Sequence, residues 1–508
     1  MTNDLPRPQG ATGTSRVTVT RAISSGAVGA LLTLGFNLLL LPVVLRKLGP
    51  DLYGAWIALS ALIAVAALAD AGIRTEVARR VAAARGGGDE HGLVRSTNVG
   101  TTVMALTVTP VVILAVWGAP WLAALVFPTG VPGYSDAQIA MVLRVMVVAM
   151  AASLILGAHF AALKGLQRSD VEVAAQVLAL PANAAVLLVG LLHGWGLWAL
   201  AFAQLAGIAV AASVQAVGTR RLLPHLSFRP GLAGWPVVLS YLTLSTLALV
   251  SQVGDVFDSQ WDKLVIARYV DSEAVTAFHV GTMLVLQAKA LALLPLMPLL
   301  AGVAELRVAR PREAQELQRS LVKVGAVASA VVLGGVFVFA PAFILLWLGP
   351  GYEEAGVVAR IFTVAVALNL VVAPIAFQAF AEGAHRLAAV AALTNIAVNA
   401  FASLLLTVQV GLYGAAVGSV VGNMAGAGVL VALGRRRLRA WVSPAIRTPV
   451  LAAGAGGAVV ISGVADVRSW PWLLASVLLF ALAVGVSAAR LEGISLRAAA
   501  GALRRRRP

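Results

Sequence analysis

Apolar runs of about 20 residues recur from one end of the chain to the other, parted by short polar or basic segments. Each is long enough to cross a hydrocarbon core about 30 Å thick as a helix. Fourteen such runs are centred near residues 33, 63, 109, 150, 183, 206, 250, 287, 332, 368, 397, 422, 457 and 480. Backbone N–H and C=O groups find no water in a bilayer, so runs of this length predict helices that satisfy their own hydrogen bonds. The pattern predicts an all-α polytopic membrane protein of about 14 transmembrane helices.

Composition agrees: of 508 residues 60% are hydrophobic and 12% charged, and the mean hydropathy is +0.90. The polar segment "MTNDLPRPQGATGTSR" is followed by no short apolar region with a small-residue cleavage site, so no removable signal peptide is expected. The absence of cysteine excludes disulfides, thiolate metal sites and cysteine nucleophiles. The six histidines are scattered without metal-ligand spacing, and no cofactor is expected.

The net charge of +16 would suggest nucleic acid in a soluble protein, but here its placement between runs is more telling, and no nucleic-acid partner is expected. With the N-terminus inside, thirty of the 38 basic residues fall in cytoplasmic segments and five outside: Arg46, Lys47, Lys263, Arg268 and Arg468. That bias predicts both termini in the cytoplasm and an even number of spans. "RGGGDEHG" (Arg85 to Gly92) lacks the ending of a phosphate-binding loop and reads as a turn. The terminal "LRRRRP" reads as a holder of anionic lipid headgroups.

Two stretches match in order. Ala119-Pro120 answers Ala340-Pro341, Gly133-Tyr134 answers Gly351-Tyr352, Arg144 answers Arg360, and Gly165 answers Gly383. The offsets, 221, 218, 216 and 218, predict two copies of a six-span unit, inserted the same way up and related by a pseudo-two-fold axis along the membrane normal. The predicted divisions are a cytoplasmic tail (1–20), an N-terminal bundle (21–221), a cytoplasmic linker (222–235), a C-terminal bundle (236–438), two appended helices (439–490) and a basic tail (491–508). Such paired bundles commonly hold a substrate between them.

Charged groups inside spans mark candidate sites. In the seventh run Gln252, Asp255, Ser259 and Asp262 share one helical face, with Asp258 beside them. The segment from Trp235 to Tyr269 would be about 50 Å long as one helix, so it must tilt, bend or protrude, and Gly254 is the expected bending point. Asp262 and Lys263 read as outer headgroup-level residues, and Gln252, Asp255 and Asp258 as lining a wet passage. Lys289 lies about 24 Å down the eighth run, too deep to snorkel, and its helical neighbours Val285, Leu286, Ala292 and Leu293 offer no acid. Its counter-charge must come from another helix or from an anionic ligand. Arg144 and Arg360 read as outward-snorkelling groups or as ties to Asp136, Glu353 or Glu354, with substrate contact as the alternative. The amides Asn37, Asn183, Gln204, Gln215, Gln287, Asn369, Asn395, Asn399 and Asn423 read as interhelical hydrogen-bonding groups.

"LRKLGPDLYGAWIALSALIAVAALADAGIRTEVARRVAAARGGGD" (Leu45 to Asp89) resembles the opening of polysaccharide biosynthesis proteins of the Wzx-type oligosaccharide flippase group. Its Leu48-Gly49-Pro50, Tyr53-Gly54 and Asp70, Gly72, Ile73 carry the likeness. "ALKGLQR" (Ala162 to Arg168), "WDKLVIARYVDSEAVTAFHVG" (Trp261 to Gly281) and "LLWLGPGYEEA" (Leu345 to Ala355) are similar to later landmarks. The resemblance implies membership of the superfamily that joins these flippases with lipid II flippases and MATE drug exporters. It implies a V-shaped pair of six-helix bundles and movement of polyprenyl-pyrophosphate-linked sugars to the outer leaflet. The first run holds no arginine within the span, a departure from the lipid II branch.

These readings converge on a non-enzymatic flippase for cell-surface polysaccharide in the bacterial cytoplasmic membrane. Its expected partners are a lipid-linked oligosaccharide, membrane lipids, a polysaccharide polymerase and glycosyltransferases. Lys289 is the expected site for pyrophosphate. Gln252, Asp255 and Asp258 are the expected sites for sugar hydroxyls or a coupling ion, proton or sodium. The alternative is a cation-coupled multidrug exporter of the MATE type.

Overall fold

The computed structural model describes residues 32, 34–36, 38–70, 72–226, 231, 234–244, 246–293, 311–381, 385–432 and 469–491. Within helices some side chains, those of Asp255 and Asp258 among them, lie outside the described residues. The fold is all-helical and membrane-spanning. Helix α1 is described over 38–48 and is followed by α2 (Pro50–Ala66), α3 (Ile73–Gly86), α4 (Glu90–Val126), α5 (Asp136–Gly165), α6 (Ser169–Leu192) and α7 (Leu197–Leu222). Then come α8 (Trp235–Leu244), α9 (Thr246–Tyr269), α10 (Ser272–Leu293), α11 (Pro311–Leu348), α12 (Glu353–Ala381), α13 (His385–Val410), α14 (Leu412–Ala432) and α15 (Trp470–Leu491).

Among the described residues ten stretches are long and apolar enough to cross a membrane, and they coincide with ten of the fourteen predicted runs. The runs near 250 and 368 coincide with α9 and α12. The run near 457 lies outside the described residues, as does most of the run near 33.

Where the polypeptide turns, its local chemistry accounts for it. Gly49 and Gly349 end α1 and α11 with φ of 84° and 92°, a left-handed conformation open to glycine, and each precedes a proline that cannot continue a helix. The basic segment after α2 forms a helix of its own, α3, entered through a short 3-10 turn at Ala67–Asp70. Asp70 accepts from the Arg74 backbone N–H and from Arg74 Nε at 3.3 and 2.7 Å, satisfying donors at the start of α3. The glycine-rich stretch after α3 is a turn, and Asp89 caps α4 by accepting from Gly92 N at 2.8 Å.

Contacts divide the chain into two compact units. The first comprises Met1–Lys47, Ala66–Ala119 and Ala140–Gln252. In it α8 is fastened to α3 and α4. Tyr241, 1% exposed, donates from its hydroxyl to the Ser96 carbonyl at 2.8 Å, and the Arg80 guanidinium lies 3.9 Å over its ring. Arg80 also donates to Ser240 Oγ and shares the buried Glu76 carboxylate with Arg79.

The second unit comprises Leu48–Val65, Pro120–Ile139 and Val253–Pro508. Small residues bring its helices together, as suits membrane packing, where backbone approach and van der Waals contact replace the hydrophobic drive. A row of glycines every four residues on α14 lies against α13: Gly414 on Leu406 and Thr407, Gly418 on Ser403, Gly422 on Asn399 and Gly426 on Asn395. Gly54 of α2 similarly meets the Ser272 carbonyl of α10, and Thr276 Oγ1 donates to the Pro50 carbonyl beside it at 2.6 Å. Helix α15 packs on α11 through Leu473, Phe480 and Val484 against Ala330, Val338 and Phe339.

Candidate functional site

A polar connection runs through the second unit where sequence alone offers mostly leucine, valine and alanine. It starts at Lys289, half-buried in α10, whose Nζ donates to Asn369 Oδ1 of α12 at 3.2 Å. Asn369 Nδ2 donates to Asn423 Oδ1 of α14 at 3.5 Å, and Asn423 Nδ2 to the Ser419 carbonyl at 2.8 Å. One turn along, Ser419 Oγ donates to Asp262 Oδ2 of α9 at 2.8 Å. Four helices therefore share one chain of hydrogen bonds with a cation at one end and a carboxylate at the other.

The flanks of this chain are polar too. Asn399 accepts from Ser403 Oγ at 2.8 Å, and Trp261 Nε1 donates to the Ala400 carbonyl at 3.1 Å, tying α9 to α13. Asp262 is 1% exposed. The carboxylate is enclosed by protein, where its Ser419 bond offsets part of the cost of desolvation. Lys263 donates to Gln260 Oε1 at 3.0 Å. Gly254, the expected bending point, lies within α9 and against α13. Helix α9 continues through it, and the missing side chain leaves room for Ile396, whose Cδ1 would lie 3.3 Å from an added methyl.

Arg144 and Arg360 do not tie down loops through Asp136, Glu353 or Glu354. Each Nε donates to a main-chain carbonyl of the preceding long helix at 3.1 Å, Arg144 to Val116 and Arg360 to Phe337, and Arg360 Nη2 reaches the Val338 carbonyl at 3.4 Å. Glu353 instead accepts from Gly351 N. Among the described residues no carboxylate pairs with either arginine. Gln252 is half-buried in α9, while the side chains of its neighbours Asp255 and Asp258 lie outside the described residues. Of the residues singled out in sequence, the structure thus gives Lys289 a polar partner and sends Arg144 and Arg360 to backbone.

Sequence reasoning placed Asn369 and Asn423 among interhelical hydrogen-bonding amides but did not connect them to Lys289. It missed Ser419, and it missed Glu76 with Arg79 and Arg80. The (i, i+3) and (i, i+4) spacing of the last three was the available signal. No group of histidines or acids suited to a metal ion occurs among the described residues.

Ten apolar stretches of membrane-spanning length, with half-buried amides and an interior lysine linking their helices, define a multi-pass membrane protein. The sequence profile of a family described as polysaccharide biosynthesis proteins matches residues 43–357, and the chain belongs to that family. No curated protein matches it. Among solved structures it is similar to the lipid II flippase MurJ in an inward closed conformation, at 12% identity and a TM-score of 0.66, covering 94% of this chain and 97% of that one. An inward-facing multidrug resistance MATE family transporter of the MOP superfamily aligns at 16% identity and a TM-score of 0.57, over 85% and 96% of the two chains. A MOP superfamily transporter from Pyrococcus furiosus, described as having a binding pocket of reverse polarity, aligns at 16% identity and 0.58, over 84% and 96%. These likenesses carry the fold.

Proposed function

We propose that the protein is a flippase that moves a polyprenyl-pyrophosphate-linked oligosaccharide from the cytoplasmic to the outer leaflet of the bacterial cytoplasmic membrane by alternating access. The observation that carries this reading is Lys289, a cation in the interior of an apolar helix, where it donates to the Asn369 amide oxygen at 3.2 Å. An ammonium at such a depth is costly unless it serves an anion or a wet path. A pyrophosphate is the anion that lipid-linked sugars bring, and membership of a polysaccharide biosynthesis family supports that substrate class.

In this reading Lys289 draws in the pyrophosphate while the prenyl tail stays in lipid. Gln252, Asp255 and Asp258 meet sugar hydroxyls or a coupling cation, proton or sodium. Both termini are cytoplasmic, and the two halves rock about a pseudo-two-fold axis along the membrane normal. Glycosyltransferases supply the substrate and a polymerase consumes it. A site for organic cations is disfavoured, since like charge at Lys289 would repel them.

The test is outer-leaflet arrival of labelled lipid-linked sugar in cells depleted of the wild-type protein, complemented with Lys289→Ala or Lys289→Arg. Loss with alanine and retention with arginine supports the reading. Undiminished arrival with alanine removes Lys289 from the mechanism.

A further inference from the structure

Proline inside a helix withholds a donor. Its nitrogen carries no hydrogen, so the carbonyl four residues earlier loses its partner, and the ring crowds that same carbonyl. In α4 the carbonyl released by Pro120 is that of Val116, and in α11 the one released by Pro341 is that of Phe337. These are the carbonyls that receive Nε–H from Arg144 and Arg360. The coincidence occurs twice, once in each copy of the repeated sequence, at the same 3.1 Å. Pro110 in α4 and Pro181 in α6 also lie inside helices. Among the described residues no arginine is bonded to the carbonyls these two prolines release, so an interior proline does not by itself bring in an arginine.

The two joints differ in their surroundings. The division between the compact units falls between Ala119 and Pro120, so α4 passes from one unit to the other at its proline, whereas Pro341 lies well inside the second unit. Around Pro341, helix α15 covers α11: Val338 belongs to the buried cluster with Phe480, and Ala342 and Leu346 pack against it. At the repeat offset of 221 the corresponding residues of α4 are Trp117, Trp121 and Leu125, which are 82%, 67% and 45% exposed.

We infer that Pro120 is a hinge in α4 whose bend is set by Arg144 through the Val116 carbonyl, and that Pro341 with Arg360 is the same joint braced by α15. Arg144 is a positioning residue. Reaching across from α5, its guanidinium supplies the donor that proline withholds, and it joins the bend of α4 to the position of α5. A kinked helix whose open carbonyl is satisfied from a neighbour keeps its bend. One whose carbonyl is left open samples other bends in search of a donor. The inference concerns the shape of one helix and stands apart from what the protein carries.

The chain has no cysteine, so Leu106→Cys with Leu125→Cys puts spin labels at two exposed sites on either side of Pro120 and nowhere else. Pulsed electron spin resonance on the full chain in lipid vesicles reads the distance between them. Adding Arg144→Ala is expected to broaden or shift the distribution, and Arg144→Lys to do so less. Pro120→Ala restores a backbone donor to Val116, so Pro120→Ala with Arg144→Ala is expected to match Pro120→Ala alone. Arg360→Ala is expected to leave this distance unchanged and to lower thermal stability, the loss being recovered by Pro341→Ala. If Arg144→Ala does not fold, recovery of folded protein by adding Pro120→Ala supports the inference. An unchanged distribution with Arg144→Ala, equal broadening in the Pro120→Ala background, or failure of that background to recover folding overturns it.

Discussion

Lys289 donates to Asn369 Oδ1, and that one bond fixes the direction of every amide beyond it. Lysine has only donors to offer, so Asn369 must turn its oxygen toward α10 and its nitrogen toward Asn423. Asn423 must then present oxygen to Asn369 and nitrogen to a carbonyl, which it finds at Ser419. The side chains are thereby ordered without ambiguity, and a change at Asn369 tests the order. Asn369→Asp places a carboxylate where the amide oxygen stood and neutralises the ammonium. The expected outcome is a folded protein whose transport of labelled lipid-linked sugar falls about tenfold, equivalent to about 1.4 kcal/mol of lost attraction. Wild-type transport by Asn369→Asp would show that Lys289 need not carry net charge.

The opposite end of the chain is a matter of stability. Ser419→Ala removes the hydroxyl donor from Asp262, which is 1% exposed. A buried acceptor that loses its donor costs about 1–3 kcal/mol. Thermal unfolding in detergent should show that loss, and Asp262→Asn in the same background should recover part of it, because a neutral amide is cheaper to bury than a carboxylate.

Two glycines of α14 should respond oppositely to the same substitution. A methyl on Gly418 would lie 2.3 Å from Ser403 Oγ and 2.5 Å from Ser403 N, whereas one on Gly428 meets nothing within 4 Å. Gly418→Ala is expected to abolish or severely reduce folded protein. Gly428→Ala is expected to be neutral or stabilising by about 0.5–1 kcal/mol, since alanine loses less backbone entropy in a helix. Yield of monodisperse protein and its melting temperature check both.

At Tyr241 two interactions can be separated. Tyr241→Phe keeps the ring beneath Arg80 and loses the bond to the Ser96 carbonyl, at a cost of about 0.5–1.5 kcal/mol. Tyr241→Leu loses the cation–π contact as well and should cost about 0.5–2 kcal/mol more. Thermal stability ranked wild type, phenylalanine, leucine is the expected result. Equal effects would mean that Arg80 gains nothing from the ring.

The helical spans could be read before any coordinates, because bilayer thickness imposes one minimum length on every span. Ala-Pro, Gly-Tyr and Arg recur in fixed order, and Arg144 and Arg360 make the same kind of bond in both stretches. What escaped was pairing between helices. Nothing in the sequence says that Asn369 rather than Gln287 meets Lys289, since both lie in apolar surroundings and only packing chooses between them. The close approach at Gly254 was not legible for a related reason: its neighbour Ile396 is 142 residues away in sequence. Arg144 and Arg360 misled because carboxylates lay nearby in sequence, while the group that needed a donor was a carbonyl one helix earlier.

The row of four glycines along α14 carries a mechanical consequence. With main chains meshed over that length, α13 and α14 can neither slide nor roll past one another without lifting apart, so the pair must travel as a single plank. Any rearrangement of this unit has to be accommodated at other seams between helices.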